Sequence, residues 1–115
     1  QTTHYRFQHT FVLPVEEYRL PSTVQGNLWV DHKGQKLFLV LEGLSYLPEK
    51  DYQVWVITRK VANNAGLVKH NDSNAFLYWY SEEPTEIEMI RVSIEPKGGS
   101  IYPTGPEAFT IFLKQ

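Results

Sequence analysis

Four histidines and a knot of carboxylates are the residues whose types could do chemistry. A zinc site needs ligands that converge, usually with one pair at short local spacing. His4 and His9 are five residues apart, so on one strand they point to opposite faces. His32 and His70 fall in predicted turns, and all four are read as solvated. Glu82, Glu83, Glu86 and Glu88 form an acidic cluster. A glycosidase pair needs two carboxylates set across a cleft, whereas these are neighbours in and after "EEPTE", a loop leading into a strand. They read as a solvated, edge-protecting group. "HNDSN", His70 to Asn74, offers oxygen ligands but lacks the central glycine and closing glutamate of a calcium loop. It reads as a turn whose Asn and Asp side chains cap their own backbone.

The absences are as informative. There are no cysteines, which excludes disulfide scaffolds, thiolate metal sites and cysteine nucleophiles. No Gly-x-Ser-x-Gly elbow and no phosphate-binding glycine loop occurs. Net charge is −2, with neither the basic stripe of a nucleic-acid binder nor a polybasic membrane patch. No metal, cofactor or enzymatic activity is expected. No apolar run approaches the roughly 20 residues of a membrane helix. The chain starts at Gln1 without a methionine and is read as a fragment or processed form.

The elements that must position these residues are short alternating runs between turn signals. Tyr5, Phe7, Phe11 and Leu13 share one parity in "HYRFQHTFVLP". "NLWVD" and "KLFLVLE" flank "HKGQ", a hairpin turn in which Gly34 is free to take positive φ. "KLFLVLE" is apolar on both parities and predicts a central strand covered on both faces. "DYQVWVITR" is rich in β-branched and aromatic residues. "KVANNAG" and "KHNDSN" read as loops, and "AFLYWYS" as strand. "EIEMIRVSIE" sets Ile90, Val92 and Ile94 against Arg91, Ser93 and Glu95. "EAFTIFLK" sets Phe109, Ile111 and Leu113 against Thr110 and Lys114. "PVEEYRL" predicts one short turn at most. About seven strands, with no helix, predict one antiparallel β-sandwich over residues 1–115, immunoglobulin-like in general architecture.

Trp29, Trp55, Trp79, Tyr78 and Tyr80 sit on strands. "YWY" covers both parities, so some rings point outward. Outward aromatics on a β face can stack on sugars or bind a protein; core packing, with coverage by the N-terminal segment, is the favoured alternative.

With the strands placed, the order of motifs becomes specific. "LWVDHKGQKLFLVLEGLSYLPEKDYQVWVI" carries a "GL-x-x-LP" loop and a "YQ-x-W-x-I" strand. "AGLV" and then "VSIEPKGGSIYPTGP" follow. The series resembles the C-terminal extracytoplasmic domain of the anti-sigma-K factor family, from about Asn27 to the C-terminus. "EKD", Glu49 to Asp51, stands where that family has a glycine before the tyrosine. The resemblance implies a single-pass bacterial membrane protein. Its cytoplasmic part, absent from this chain, sequesters a sigma factor, and proteolysis outside and then within the membrane releases it. Residues 1–26 would be the membrane-proximal segment and first strand, with Gln1 to about Pro21 as the candidate gate. Residues 27–115 would be the core. The expected partners are a protease or an extracellular protein or glycan ligand, and no nucleic acid. Gly98, Gly99, Pro103, Gly105 and Pro106 are expected to build a structural loop. In it the glycines supply unusual backbone angles, the prolines stiffen the chain and Thr104 bonds its own backbone. The candidate recognition surface is Trp55, Tyr78, Tyr80, Tyr102, Pro103 and Thr104.

Overall fold

Alternation with period two builds nearly every element. The computed structural model describes residues 1–14 and 19–113. Among them are nine strands: β1 (Thr2–Pro14), β2 (Arg19–Asp31), β3 (Lys36–Glu42), β4 (Lys50–Thr58), β5 (Val61–Leu67), β6 (Lys69–Asn71), β7 (Asn74–Tyr80), β8 (Met89–Pro96) and β9 (Glu107–Phe112). They form two antiparallel sheets, ordered β1-β2-β3-β7-β6 and β5-β4-β8-β9. The sheets face each other across one hydrophobic core. Leu28, Leu37, Leu39, Leu41 and Leu77 come from the first sheet, and Tyr52, Val54, Val56, Ile90, Val92 and Ile94 from the second.

Three expectations are corrected. The N-terminal stretch holds the two longest strands, β1 and β2, of 13 residues each. They pair in unbroken register from Thr2↔Asp31 to Pro14↔Arg19. The strand expected as "NLWVD" begins eight residues earlier, through "STVQGN", whose inward positions are small: Ser22 and Gly26 flank Val24. A Cβ at Gly26 would meet the tip of the Phe7 ring, so a larger residue there must push that ring aside. Pro21 is tolerated because β3 reaches β2 only from Gln25 onward, so this part of β2 has a free edge. The short turn expected in "PVEEYRL" falls on residues 15–18, outside the described ones, as does Lys114.

"KVANNAG" and "KHNDSN" are strand rather than loop over β5 and β6. β5 tolerates its asparagines because it is an edge strand with a bulge at Ala65, after which Gly66 takes φ 113°. The Asn63 side chain donates to the Val56 carbonyl, and Asn64 Oδ1 accepts from the Gly66 N–H. His70 therefore lies on a strand, and the turn proper is Asp72 and Ser73. β3 is central but covered on one face only; Phe38 on its outer parity is 39% exposed. Two layers leave each sheet an outer surface, and none of the described residues lies over this one.

β1 closes one side of the sandwich. Phe7, His9 and Phe11 gather round Phe109 of β9 at ring-centroid distances of 5.6–6.1 Å. At about 3.3 Å per residue, a 13-residue strand spans about 43 Å. The molecule is 44 Å long, so the β1–β2 hairpin runs its full length.

Candidate functional site

The second sheet treats its outer face differently from the first. On β4 the inward residues are Tyr52, Val54 and Val56, so Asp51, Gln53 and Trp55 point outward. Yet Gln53 and Trp55 are buried, as are the outward Ser93 and Glu95 of the neighbouring β8. The segment after β8, residues 97–106, folds back over this face and is fastened to it.

Glu95 is the centre of the fastening. Its carboxylate is fully buried and, among the described residues, is in no ion pair. Ser93 Oγ donates to it at 2.6 Å, Ser100 Oγ at 2.8 Å, Thr104 Oγ1 at 3.0 Å and the Gly105 N–H at 3.0 Å. Burial alone would raise its pKa. The hydrogen bonds from Ser93, Ser100, Gly105 and Thr104 outweigh burial and hold the carboxyl below its usual range. Gly105 has no room for a side chain, because a Cβ would strike the Ile94 carbonyl oxygen. The Ile94 N–H is itself held by the Pro106 carbonyl at 2.8 Å.

Two β4 side chains fasten the first half of the loop. Asp51 accepts from the Gly98 N–H at 2.8 Å and lies 3.8 Å from Lys97 Nζ. Gln53 accepts from the Ser100 N–H and donates to the Ser100 carbonyl and to Asn64. Gly98 and Gly99 take φ of 93° and 90°, the left-handed region that other residues resist. The loop thus has a rigid base and a bare tip: Ile101 is 83% exposed and Tyr102 72%.

The structure separates the expected recognition residues into three places. Trp55 is a correction, since it is fully buried and its Nε1–H donates to Ser93 Oγ at 2.9 Å, which joins it to the Glu95 network. Tyr102, Pro103 and Thr104 lie on the fastened loop, and Thr104 bonds Glu95 rather than its own backbone. Tyr78 and Tyr80 lie on β7, on the outer face of the other sheet, and both are more than half exposed. Sequence reading missed Glu95, Gln53 and Ser93 because alternation does not show that a loop covers their face. The available signal was a glutamate followed within ten residues by Ser100, Thr104 and a glycine.

The remaining candidates stay apart. Glu82, Glu83, Glu86 and Glu88 are all exposed on the β7–β8 connection. His4 stacks on Trp29, His9 on Phe109, and His70 lies edge-on to Tyr46. Among the described residues no three His, Asp or Glu side chains converge as metal ligands would. An open cleft of about 830 Å³ lies at the end that carries Gln1, where Asp31, His32, Lys33, Arg59 and Glu86 line it with mixed charge.

Comparison with known families finds a match. The model described as "Anti-sigma-K factor rskA, C-terminal" aligns with residues 10–108. That range takes in the last five residues of β1, all of β2 to β8, the start of β9 and the whole fastened loop. No curated protein and no solved structure matches the chain.

Proposed function

Because the chain belongs to the anti-sigma-K factor C-terminal family, we propose that it is the extracytoplasmic regulatory domain of a membrane-anchored bacterial anti-sigma factor. In this reading it has no enzymatic activity and controls proteolysis that releases a sigma factor held by a cytoplasmic domain outside this chain. The family match over residues 10–108 carries the reading.

The fold supports a gating role for β1. The gate expected at Gln1 to Pro21 is, over its described residues, strand rather than linker. A protease needs an extended, unpaired segment, and β1 is paired with β2 along its whole length. Cleavage within β1 therefore requires local opening. A ligand that binds the closed form lowers the open population, and one that binds the open form raises it.

The test is deletion of the codons for this domain from the full-length gene, keeping everything that precedes it. Transcripts driven by the cognate sigma factor are then measured in resting and stressed growth. A rise identifies a guard and a fall identifies a sensor. Unchanged transcripts in both conditions refute the regulatory reading.

A further inference from the structure

The outer face of the five-stranded sheet is an apolar surface that the regulatory reading does not use. The strand register sorts its side chains into rows. His4, Trp29, Phe38 and Tyr78 form one row. Asn27, Val40 and Phe76 form the next, with Arg6 and Lys69 at its two ends. Lys36 and Tyr80 pair on one side of these rows, and Glu42 and Asn74 on the other. Phe38, Phe76, Tyr78 and Tyr80 are exposed. Trp29 and Val40 are half-buried. The apolar patch is thus broad, and it spans neighbouring strands.

Its size suits a modest protein interface. β1, β2, β3 and β7 side by side are about 19 Å across, and four rows about 6.8 Å apart are about 27 Å long. That is a flat footprint of about 500 Å², and side-chain relief brings it towards the roughly 600 Å² per partner of the smaller specific interfaces.

Charge selects the occupant. β3 is the middle strand of the five. Lys36 and Glu42 stand at its two ends, about 20 Å apart, with Phe38 and Val40 between them on the same face. Among the described residues the two ion pairs are Arg91–Glu107 and Lys97–Asp51. Lys36, Glu42 and the neighbouring Asp31 are in neither, and Asp31 turns Oδ1 to the Gln35 and Lys36 N–H groups. The face therefore carries a positive end and a negative end on one strand, joined by an apolar middle.

We propose that this face binds the same face of a second copy, with the two-fold axis running across the strands between Phe38 and Val40. That rotation reverses each strand and lays it over its own counterpart. Phe38 then meets Val40 of the second copy, and Tyr78 meets Phe76. Lys36 meets Glu42 in both directions, which makes two ion pairs from one contact, as a self-complementary interface does. Asp31 meets the neutral Gln25. Sheets packed face to face cross at about 30°, which shifts Lys36 from Glu42 by about 5 Å, within the reach of a lysine side chain. Arg6 and Lys69 stay on the rim, in water. A two-fold axis along the strands would instead set Lys36 on Lys36 and Glu42 on Glu42, which like-charge repulsion opposes. This inference does not rest on the regulatory reading, and either can fail alone.

The experiment is sedimentation equilibrium of the intact chain across the micromolar range. A reversible monomer–dimer equilibrium is expected, weak because the interface is small. Lys36→Glu alone and Glu42→Lys alone should each weaken dimerisation about tenfold or more, since the symmetry counts each change twice. The double variant Lys36→Glu/Glu42→Lys should return to within about threefold of wild type, because the exchange restores both pairs. Phe38→Ala should weaken the dimer about tenfold, the size of one hot-spot contact. All three side chains are exposed, and circular dichroism checks that the variants fold. A chain that stays monomeric throughout overturns the proposal. So does a dimer that ignores the single charge reversals, which places another surface in the interface. Failure of the double variant to rescue the singles rejects this axis and overturns it too.

Discussion

Replacing Glu95 tests the account of the fastened loop most directly. The carboxylate receives four donors, three of them from loop residues Ser100, Thr104 and Gly105. Losing a hydrogen bond to a charged group costs about 1.5–3 kcal/mol. In Glu95→Ala the loop can lift and let water satisfy its three donors, so the costs do not add. A net loss of about 3 kcal/mol is expected, or a Tm lowered by about 12 °C in a domain of this size. Glu95→Gln keeps one acceptor oxygen but turns an amide towards hydroxyl and N–H donors, and should lose about half as much. The pH dependence separates the charge from the shape. The folded carboxyl lies below its ordinary value, so the unfolded chain takes up the proton first and stability falls as pH falls. The advantage of wild type over Glu95→Gln should be full above about pH 4.3, the unfolded-chain value. It should vanish as pH drops through the lower folded-state value. Calorimetry gives the Tm, and hydrogen exchange at Ser100 and Gly105 reports the loop. A Tm lowered by less than about 3 °C in Glu95→Ala, less than one ordinary hydrogen bond, would refute the network as the fastening. Unchanged protection of those amides would do the same.

Other perturbations follow from particular contacts. Gly105→Ala should displace the loop by forcing a Cβ onto the Ile94 carbonyl, and cost about 2–4 kcal/mol; urea melts will read it, and a neutral result would place the loop elsewhere. Trp55→Phe removes the donor to Ser93 and leaves a gap where the fully buried indole was. It should cost about 2–3 kcal/mol in the same melts. Arg59 and Lys60 form the two-residue turn between β4 and β5 with φ of 49° and 66°, where Asn-Gly is preferred. Arg59→Asn with Lys60→Gly should therefore stabilise by about 1 kcal/mol, visible as a raised Tm. Phe7→Ala should destabilise by about 2–3 kcal/mol because its ring fills the space over Gly26 and packs on Phe109. Calorimetry that found no change would refute that packing.

What could be read from the chain depended on how local the physics was. Strands such as β8 and β9 were legible because apolar residues recur every second position. The sheet class followed from them, since alternation with frequent turns admits little else. β5 was hidden because its asparagines satisfy a bulge that only its pairing with β4 reveals. Ser93 and Glu95 were assigned to the right parity, opposite Ile90, Val92 and Ile94, but their burial was not foreseen. Their cover comes from a loop whose path the alternation does not encode. The row from His4 to Tyr78 was illegible for another reason. Its members lie on four strands, and only the register shows that they are neighbours. Tyr78 could be named from "YWY", but not its companions.

The hairpin that runs the length of the molecule has a mechanical consequence. Tension applied to Gln1 along the axis of β1, against a grip at the far end, loads all thirteen β1–β2 pairs together in shear. Tension applied to Gln1 across that axis loads one pair at a time, beginning at Thr2. The same bonds are therefore strong against one pull and weak against the other. For a tethered domain, the direction of a force, more than its size, decides whether the first strand lets go.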